Sequence, residues 1–495
     1  MDTVTVAGVT VDTRHWIGGQ RVSSADTFPS VSPIDGEHIA DVHRGGPVEA
    51  DAAVTAASGA FKDWSRWTPQ ERAVVLRKLA DLVEENLEPL AQLETRDNGS
   101  LLRSHRRGVM PRVAMNIRFF ADFAVEQLHH PVWETRGHEN HVSWDPSGPT
   151  VIITPWNAPL MLATWRIGPA LAAGDTVVLK PPEWAPLTAS YFADLTHQAG
   201  LPDGVFNVVQ GFGPEAGAAL TSDPRVARIC FTGSVPTAKL VAKAAAENLT
   251  PCSFELGGKS PTVILDDADL DLAVDLAIEQ YDNAGQVCLA GTRLLVQESI
   301  ADAFAERFAE RASQIRQGDP RDEETQIGPN IHLDHVARVQ GFIDRAVVDG
   351  ASIAYGGEVN TDLGPHYFRP TLIRNAPAGS EILREEVFGP VLTMQTFTTD
   401  DDGLELANGT DFGLAACVVT GSRDRAESFC KHLVAGTIWV NCFFVRDLAA
   451  PFGGSKKSGI GREGGLWSFD FYADVKNTVY APNGWNKDGR NEGTK

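Results

Sequence analysis

Apolar runs of strand length alternate with amphipathic stretches of helix length between Val151 and Phe231, and no other pattern limits the fold more. Val151-Ile152-Ile153 precedes a helical pattern over 162–173, and a strand over 176–179 precedes a helix over 187–199. Strands over 206–209 and 226–231 complete the set. Strands joined through helices of this length imply a parallel sheet covered on both faces. The pattern returns later, with strands near 262–265, 294–297 and 437–440 and helices near 301–317, 335–349 and 424–434. A second α/β domain is therefore expected. At 495 residues the chain is too long for a single core.

Before the alternation, a polar tail leads to short strands over 16–22 and 28–42, with Pro33-Ile34-Asp35-Gly36 as a turn. About the first dozen residues are expected to be disordered. Ala50, Ala53, Val54, Ala57, Ala60, Phe61 and Trp64 share one face of a helix, and further helices are expected over 69–86, 89–97 and 104–127. Residues 129–148, rich in Pro, His, Gly and charge, form an excursion from the domain. No internal repeat is present, and the only biased segment is the charged C-terminal tail.

Composition narrows the partners. A net charge of -22 argues against nucleic acid or an anionic membrane as a general partner, since both are polyanions. No apolar run approaches the roughly 20 residues needed to span a bilayer. The N-terminus is acidic where a signal peptide is basic. The six cysteines show no CxxC and no regular spacing, which fits buried thiols in a reducing cytoplasm and no metal site.

The chemistry concentrates between Glu255 and Arg293. Glu255-Leu256-Gly257-Gly258-Lys259-Ser260-Pro261 puts a carboxylate at the head of a glycine-rich turn. Asn283-Ala284-Gly285-Gln286-Val287-Cys288-Leu289-Ala290-Gly291 puts a lone cysteine in another. Brought together, they make a thiolate nucleophile with a base that can activate water. Phe231-Thr232-Gly233-Ser234 follows a strand and opens a helix, so its N–H groups suit a pyrophosphate; an ordinary cap by Ser234 is the plain alternative. Lys180-Pro181-Pro182-Glu183 stands at a strand's carboxyl end, suited to ribose hydroxyls or simply solvated. Pro155-Trp156-Asn157-Ala158-Pro159 holds an amide stiffly, as an oxyanion donor or as a turn cap. Gly211-Phe212-Gly213 with Gly217 is not spaced as a dinucleotide fingerprint and is read as a turn.

In this order the segments resemble the NAD(P)-dependent aldehyde dehydrogenase superfamily over about residues 16–480. The marks are PWNAP, KPPEWAP, FTGS, ELGGKSP, GQVCLAGTR, EEVFGP and PFGGSKKSGIGREGG. The resemblance implies an α/β aldehyde dehydrogenase fold: a Rossmann-like NAD-binding domain, an α/β catalytic domain and a small oligomerisation sheet. The division implied is 1–128 and 149–256 for NAD binding, 129–148 for the excursion, 257–450 for catalysis and 451–495 for the return and an oligomerisation strand. Cys288 is implied as nucleophile, Glu255 as the base for hydrolysis, and Asn157 with the Cys288 N–H as oxyanion donors. Lys180 and Glu183 match ribose contacts, Gly233 and Ser234 the pyrophosphate turn, Glu386 the nicotinamide-ribose ligand and Phe388 its neighbour. Glu463 matches a second family glutamate. Because Glu183 would repel a 2′-phosphate, NAD is expected over NADP. Glu255 argues against the CoA-acylating branch. A homodimer or homotetramer is implied.

Departures from the family pattern are Ala158 in place of an aromatic, Ala238 in place of a glycine and Arg166 in place of a lysine. The first implies a wider substrate mouth, the second a shifted cofactor grip. Arg112 and Arg446 fall where the substrate tunnel runs. They resemble the muconic semialdehyde dehydrogenases of aromatic ring cleavage, which act on 2-hydroxymuconic, 2-aminomuconic and 5-carboxymethyl-2-hydroxymuconic semialdehydes. The MLATWRIGPALAAG and REGGLWSFDFYADVKN segments look most like the last. Two guanidiniums would grip a substrate carboxylate. The alternatives are that Arg446 pairs with Asp447 in a generalist aldehyde dehydrogenase, or that a non-catalytic protein reuses the fold.

Overall fold

The computed structural model describes residues 2–482. The charged tail beyond lies outside the described residues. Two large sheets organise the chain. The first has eight strands, in the order Gly459–Ile460, Cys252–Leu256, Arg228–Gly233, Pro149–Ile153, Thr176–Lys180, Phe206–Val208, His15–Ile17 and Gln20–Val22. Its five central strands are parallel. The chain starts in the middle at Pro149–Ile153, builds outward to Phe206–Val208, and then crosses to the other side at Arg228–Gly233. That reversal is a switch point, where carboxyl strand ends diverge and leave a crevice for ligands. All five residues of Pro149–Ile153 and of Thr176–Lys180 are buried, as a sheet covered on both faces requires.

The second sheet runs Ser352–Tyr355, Thr371–Arg374, Val391–Phe397, Arg293–Gln297, Pro261–Ile264, Ala415–Val419 and Thr437–Val440, parallel except for its first pair. Four of these, at 352–355, 371–374, 391–397 and 415–419, carry too little periodic contrast to be read from the sequence. A third, small sheet sits apart. Ala473–Tyr480 pairs antiparallel along its whole length with His138–Pro146, which pairs with Val132–Thr135. The excursion at 129–148 thus contributes two strands.

Three expectations need correction. Residues 3–12 are an ordered hairpin, Thr3–Val6 with Val9–Asp12. Val6, Val9 and Val11 are buried, and Ala7 and Gly8 both take positive φ (50° and 83°), the primed turn that fits strand twist. Glu255, expected at the head of a glycine-rich turn, stands instead within the strand Cys252–Leu256. The helix expected over 104–127 is interrupted at its start by a π-turn, His105–Val109, before Met110–Glu126. The extra residue of a π-turn rotates the helix beyond it, and Arg112 lies on that helix.

The helix Pro159–Ala173 packs on the first sheet beside Pro149–Ile153 and Thr176–Lys180 and against Met110–Glu126. Proline opens it and Gly174, at φ 104°, ends it in the left-handed conformation. It is buried nearly all round, which explains why its apolar pattern has no single face. No helix among the described residues is long and apolar enough to cross a membrane.

Candidate active site

Parallel pairing gathers the motifs. Ile153 is in register with Lys180 and with Phe231, and Thr232 with Glu255. Asn157, Lys180, Gly233-Ser234 and Glu255 therefore all stand at or just beyond the carboxyl ends of strands along one edge of the first sheet. In the second sheet Pro261 is in register with Arg293, and Arg293 with Thr393. Gly258, Cys288 and Glu386 stand just before those three strands and so share its amino edge. The two edges meet.

Contact between them depends on missing side chains. A Cβ on Gly258 would lie 2.8 Å from the Cys288 carbonyl oxygen, and one on Gly257 would collide with Glu386 Oε2. The Gly258 N–H donates to Glu386 Oε1 at 3.0 Å. From the other side Asn157 Nδ2 donates to the Gln286 carbonyl at 2.9 Å, two residues before the cysteine. Asn157 Oδ1 is buried without a partner. Asn157 and Glu386 thus flank the turn that carries Cys288, and Glu255 lies within electrostatic reach of the cysteine.

Glu255 is 4% exposed, and neither carboxylate oxygen has a hydrogen-bond partner. Burial, reinforced by the charge of Glu463, pushes its pKa up to about 8; Arg166, Arg446 and Arg462 oppose the shift. Burial also pushes the Cys288 thiol up to about 12, with Glu386 and Glu255 adding and Arg446 opposing. Cys288 therefore rests as a thiol, which must give up its proton before the sulfur can act as a nucleophile. Glu386 is raised to about 7, again chiefly by burial.

Arg446 and Arg112 come together on one indole. Their guanidinium carbons lie 5.2 Å and 5.9 Å from the Trp165 ring centroid, and Arg446 also lies 3.6 Å from the centroid of Phe452. Arg112 Nε donates to Asn116 Oδ1 at 3.0 Å. Arg446 Nη2 is buried with no partner. Burial, then the charge of Arg112, holds Arg446 down to about 10, while Cys288 and Glu255 pull the other way. Asp447 does not pair with Arg446; it accepts from the Ala449 N–H and acts electrostatically on Arg112. Behind the pair, Trp165 Nε1 donates to Glu463 Oε2 at 2.6 Å. Arg166 Nε lies 3.1 Å from Glu463 Oε1, close enough for an ion pair but out of line for a hydrogen bond.

Of the expected cofactor residues, Lys180, Glu183, Gly233 and Ser234 stand at the carboxyl ends of strands in the first sheet, and Glu386 and Phe388 stand on the amino edge of the second. Lys180 Nζ donates to Glu183 Oε2 at 2.9 Å. Ser234 caps the helix Val235–Ala246 by accepting from Thr237 N, leaving that helix start at the carboxyl end of Arg228–Gly233. Phe388 sits at φ 60° with its ring edge-on to Trp156, at 5.3 Å between centroids. Trp165, Phe452, Asn283 and Gln286 were not legible as site residues. Two amides at a three-residue spacing just before the cysteine were the available signal for the last two.

The profile of the Aldehyde dehydrogenase family matches residues 20–478. The chain belongs to the aldehyde dehydrogenase family. The enzyme, an oxidoreductase acting on aldehydes, is 41% identical over 479 residues to a 2-hydroxymuconic semialdehyde dehydrogenase of Pseudomonas sp. (strain CF600), spanning 94% of this chain and 98% of that one. It is also 41% identical over 469 residues to a betaine aldehyde dehydrogenase of Cereibacter sphaeroides (strain ATCC 17025 / ATH 2.4.3), spanning 94% and 96%. Its fold superposes on the Staphylococcus aureus betaine aldehyde dehydrogenase crystallised with NAD+ at a TM-score of 0.93, with 37% identity and 97% of each chain covered.

Proposed function

We propose that the enzyme oxidises a carboxylate-bearing muconic-type semialdehyde to the acid, with NAD as acceptor, through a thiohemiacetal and a thioester on Cys288. The observation that carries the substrate class is Arg446: a guanidinium whose Nη2 is buried and unpartnered, within electrostatic reach of Cys288 and Glu255. A buried unpaired charge is costly unless a ligand completes it. Arg112 on the same indole doubles the positive field. The same field argues against a cationic aldehyde such as betaine aldehyde, although a relative of equal identity is named for it.

The crevice fits NAD. The Val235–Ala246 helix start offers N–H groups to a pyrophosphate, and Lys180 with Glu183 offers a donor and an acceptor to ribose hydroxyls. Glu386, kept clear by Gly257, offers a second acceptor. Bound NAD supplies the two-electron acceptor that converts thiohemiacetal to thioester.

This chain's residues do the rest. The Cys288 sulfur bonds to the aldehyde carbon, and its proton leaves for a base. The second Asn157 N–H and the Cys288 backbone N–H hold the oxygen as charge develops. Glu255 then takes a proton from the water that attacks the thioester; the C–S bond breaks, the acid leaves and the proton returns to the Cys288 sulfur. Once it has lost its proton, a carboxyl whose pKa is raised to about 8 is a stronger base than an ordinary carboxylate. The same reading makes the first sheet the cofactor domain and the second the catalytic one. The edges of the third sheet expose Val132 and Trp133 on one side and Val475, Val479 and Tyr480 on the other, which supports pairing with a second copy in a dimer or tetramer.

The test is NADH formation with 5-carboxymethyl-2-hydroxymuconic and 2-hydroxymuconic semialdehydes against benzaldehyde, hexanal and betaine aldehyde. A kcat/KM advantage for a muconic substrate on the order of 10²-fold, about 2.7 kcal/mol, is the size expected of a carboxylate clamp. Equal rates with the plain aldehydes would make the enzyme a generalist.

A further inference from the structure

Three side-chain amides beside the nucleophile close a ring. Asn157 Nδ2 donates to the Gln286 carbonyl at 2.9 Å, Gln286 Nε2 donates to the Asn283 carbonyl at 3.0 Å, and Asn283 Nδ2 donates to the Asn157 carbonyl at 3.1 Å. Each amide thus grips the backbone of the next residue in the ring. Two tethers enter from outside: the Ser100 hydroxyl donates to Asn283 Oδ1 at 2.8 Å, and the Ile331 N–H donates to Gln286 Oε1 at 3.0 Å. A backbone N–H can only donate and a carbonyl can only accept. The Gln286 and Asn157 amides therefore have one permitted orientation each.

The ring holds an uncommon backbone. Asn283 (φ 48°, ψ 39°) and Ala284 (φ 55°, ψ 35°) are both left-handed, followed by Gly285 at φ 69°. Such non-glycine residues are strained and persist only where their surroundings over-determine them. Here the turn is also pressed against the loop of Glu386 and Phe388, since a Cβ on Gly285 would collide with the Gly389 carbonyl. The cysteine lies three residues further on.

Asn157 has two amide hydrogens. One is committed to Gln286, and its Oδ1 is buried without a partner. Turning the amide over would set Oδ1 against the Gln286 carbonyl oxygen, so the second N–H keeps a fixed direction only while the Asn157 backbone stays in place. The bond that holds this backbone across the gap between the sheets is the one from Asn283. We infer that Asn283, braced by Ser100, is a positioning residue that fixes the Asn157 amide relative to Cys288. The inference rests on the proposed role of Asn157 as an oxyanion donor.

The experiment measures the single-turnover rate of NADH formation at saturating NAD and aldehyde in five proteins: wild type, N157A, N283G, S100A and N157A/N283G. Glycine suits the left-handed backbone at 283 while removing the side chain. N157A should slow the step about 10²- to 10³-fold, the loss typical of one oxyanion donor. N283G should slow it about 10- to 10²-fold, the scale of a misplaced catalytic group, with KM for NAD unchanged. S100A should move the same way by less, and it decides the matter if N283G does not fold. The double variant should be no slower than N157A alone, because Asn283 acts through Asn157. Wild-type rates in both N283G and S100A, with N157A impaired, would overturn the positioning role and leave the oxyanion reading intact. Independent losses multiplying in the double variant would also overturn it, as a general structural defect. A wild-type rate in N157A would remove the oxyanion reading and this inference with it.

Discussion

The Arg446 guanidinium stacks on the Phe452 ring at 3.6 Å from its centroid, yet its Nη2 has no hydrogen-bond partner. An aromatic face steadies a cation without neutralising it. The side chain is held in place with its charge still available, as a site for a ligand carboxylate requires. Arg446→Ala should lower kcat/KM for a muconic semialdehyde about 10²-fold, mostly through KM, and change it little for hexanal. Steady-state kinetics on the two substrates decide it. Equal losses would count against the clamp.

Glu255→Gln keeps the shape of the side chain and removes the base. If Glu255 activates the hydrolytic water, NADH should appear in a burst equal to the enzyme concentration, and steady turnover should fall by about 10²- to 10⁴-fold. Rapid mixing with a stopped-flow readout shows both phases. Loss of the burst itself would instead place Glu255 at the attack on the aldehyde.

Burial holds the Glu255 proton on until pH near 8. Below that pH the carboxyl is neutral and cannot act as a base; above it the carboxylate forms. The rate of thioester hydrolysis should therefore climb through an apparent pKa near 8, well above the ordinary carboxylate range. In Glu255→Gln that ascending limb should vanish from whatever turnover remains.

The two glycines after Glu255 make separable predictions. A methyl on Gly257 meets Glu386, and one on Gly258 meets the Cys288 carbonyl. Gly257→Ala should raise KM for NAD about tenfold or more with a smaller change in kcat. Gly258→Ala should chiefly lower kcat if Cys288 is the nucleophile, because a displacement of about 1 Å at a reacting group costs up to about 10²-fold. Reversed effects would mean that Glu386 does not serve the cofactor.

Arg166 and Glu463 are each 2% exposed at the side chain. Arg166→Met leaves a buried carboxylate without its cation, which typically costs about 3–5 kcal/mol. The denaturation midpoint in urea should fall accordingly. Arg166→Lys, which keeps the charge, should recover much of the loss.

The sequence determined the local features. Strand–helix alternation between 149 and 233 needs only period and turn chemistry, and the helix Leu187–Ala199 and the strand Thr437–Val440 lie where that periodicity puts them. The cysteine and amide stand in short, rigid, glycine- or proline-marked turns, and the carboxylate stands in the strand that runs into one; all three are legible without neighbours. The hairpin at residues 3–12 is not legible in this way because its alternation is short, and its stability comes from Val6 and Val11 packing against Phe28 and Leu93, far along the chain. Tertiary structure alone decided that Arg446 would meet Phe452 and Trp165 instead of Asp447. It also decided that the Glu255 carboxyl would be buried enough to hold its proton to pH near 8. The Trp165 indole that meets Arg446 and the Glu463 carboxylate that raises Glu255 come from far along the chain, and no local pattern encodes them.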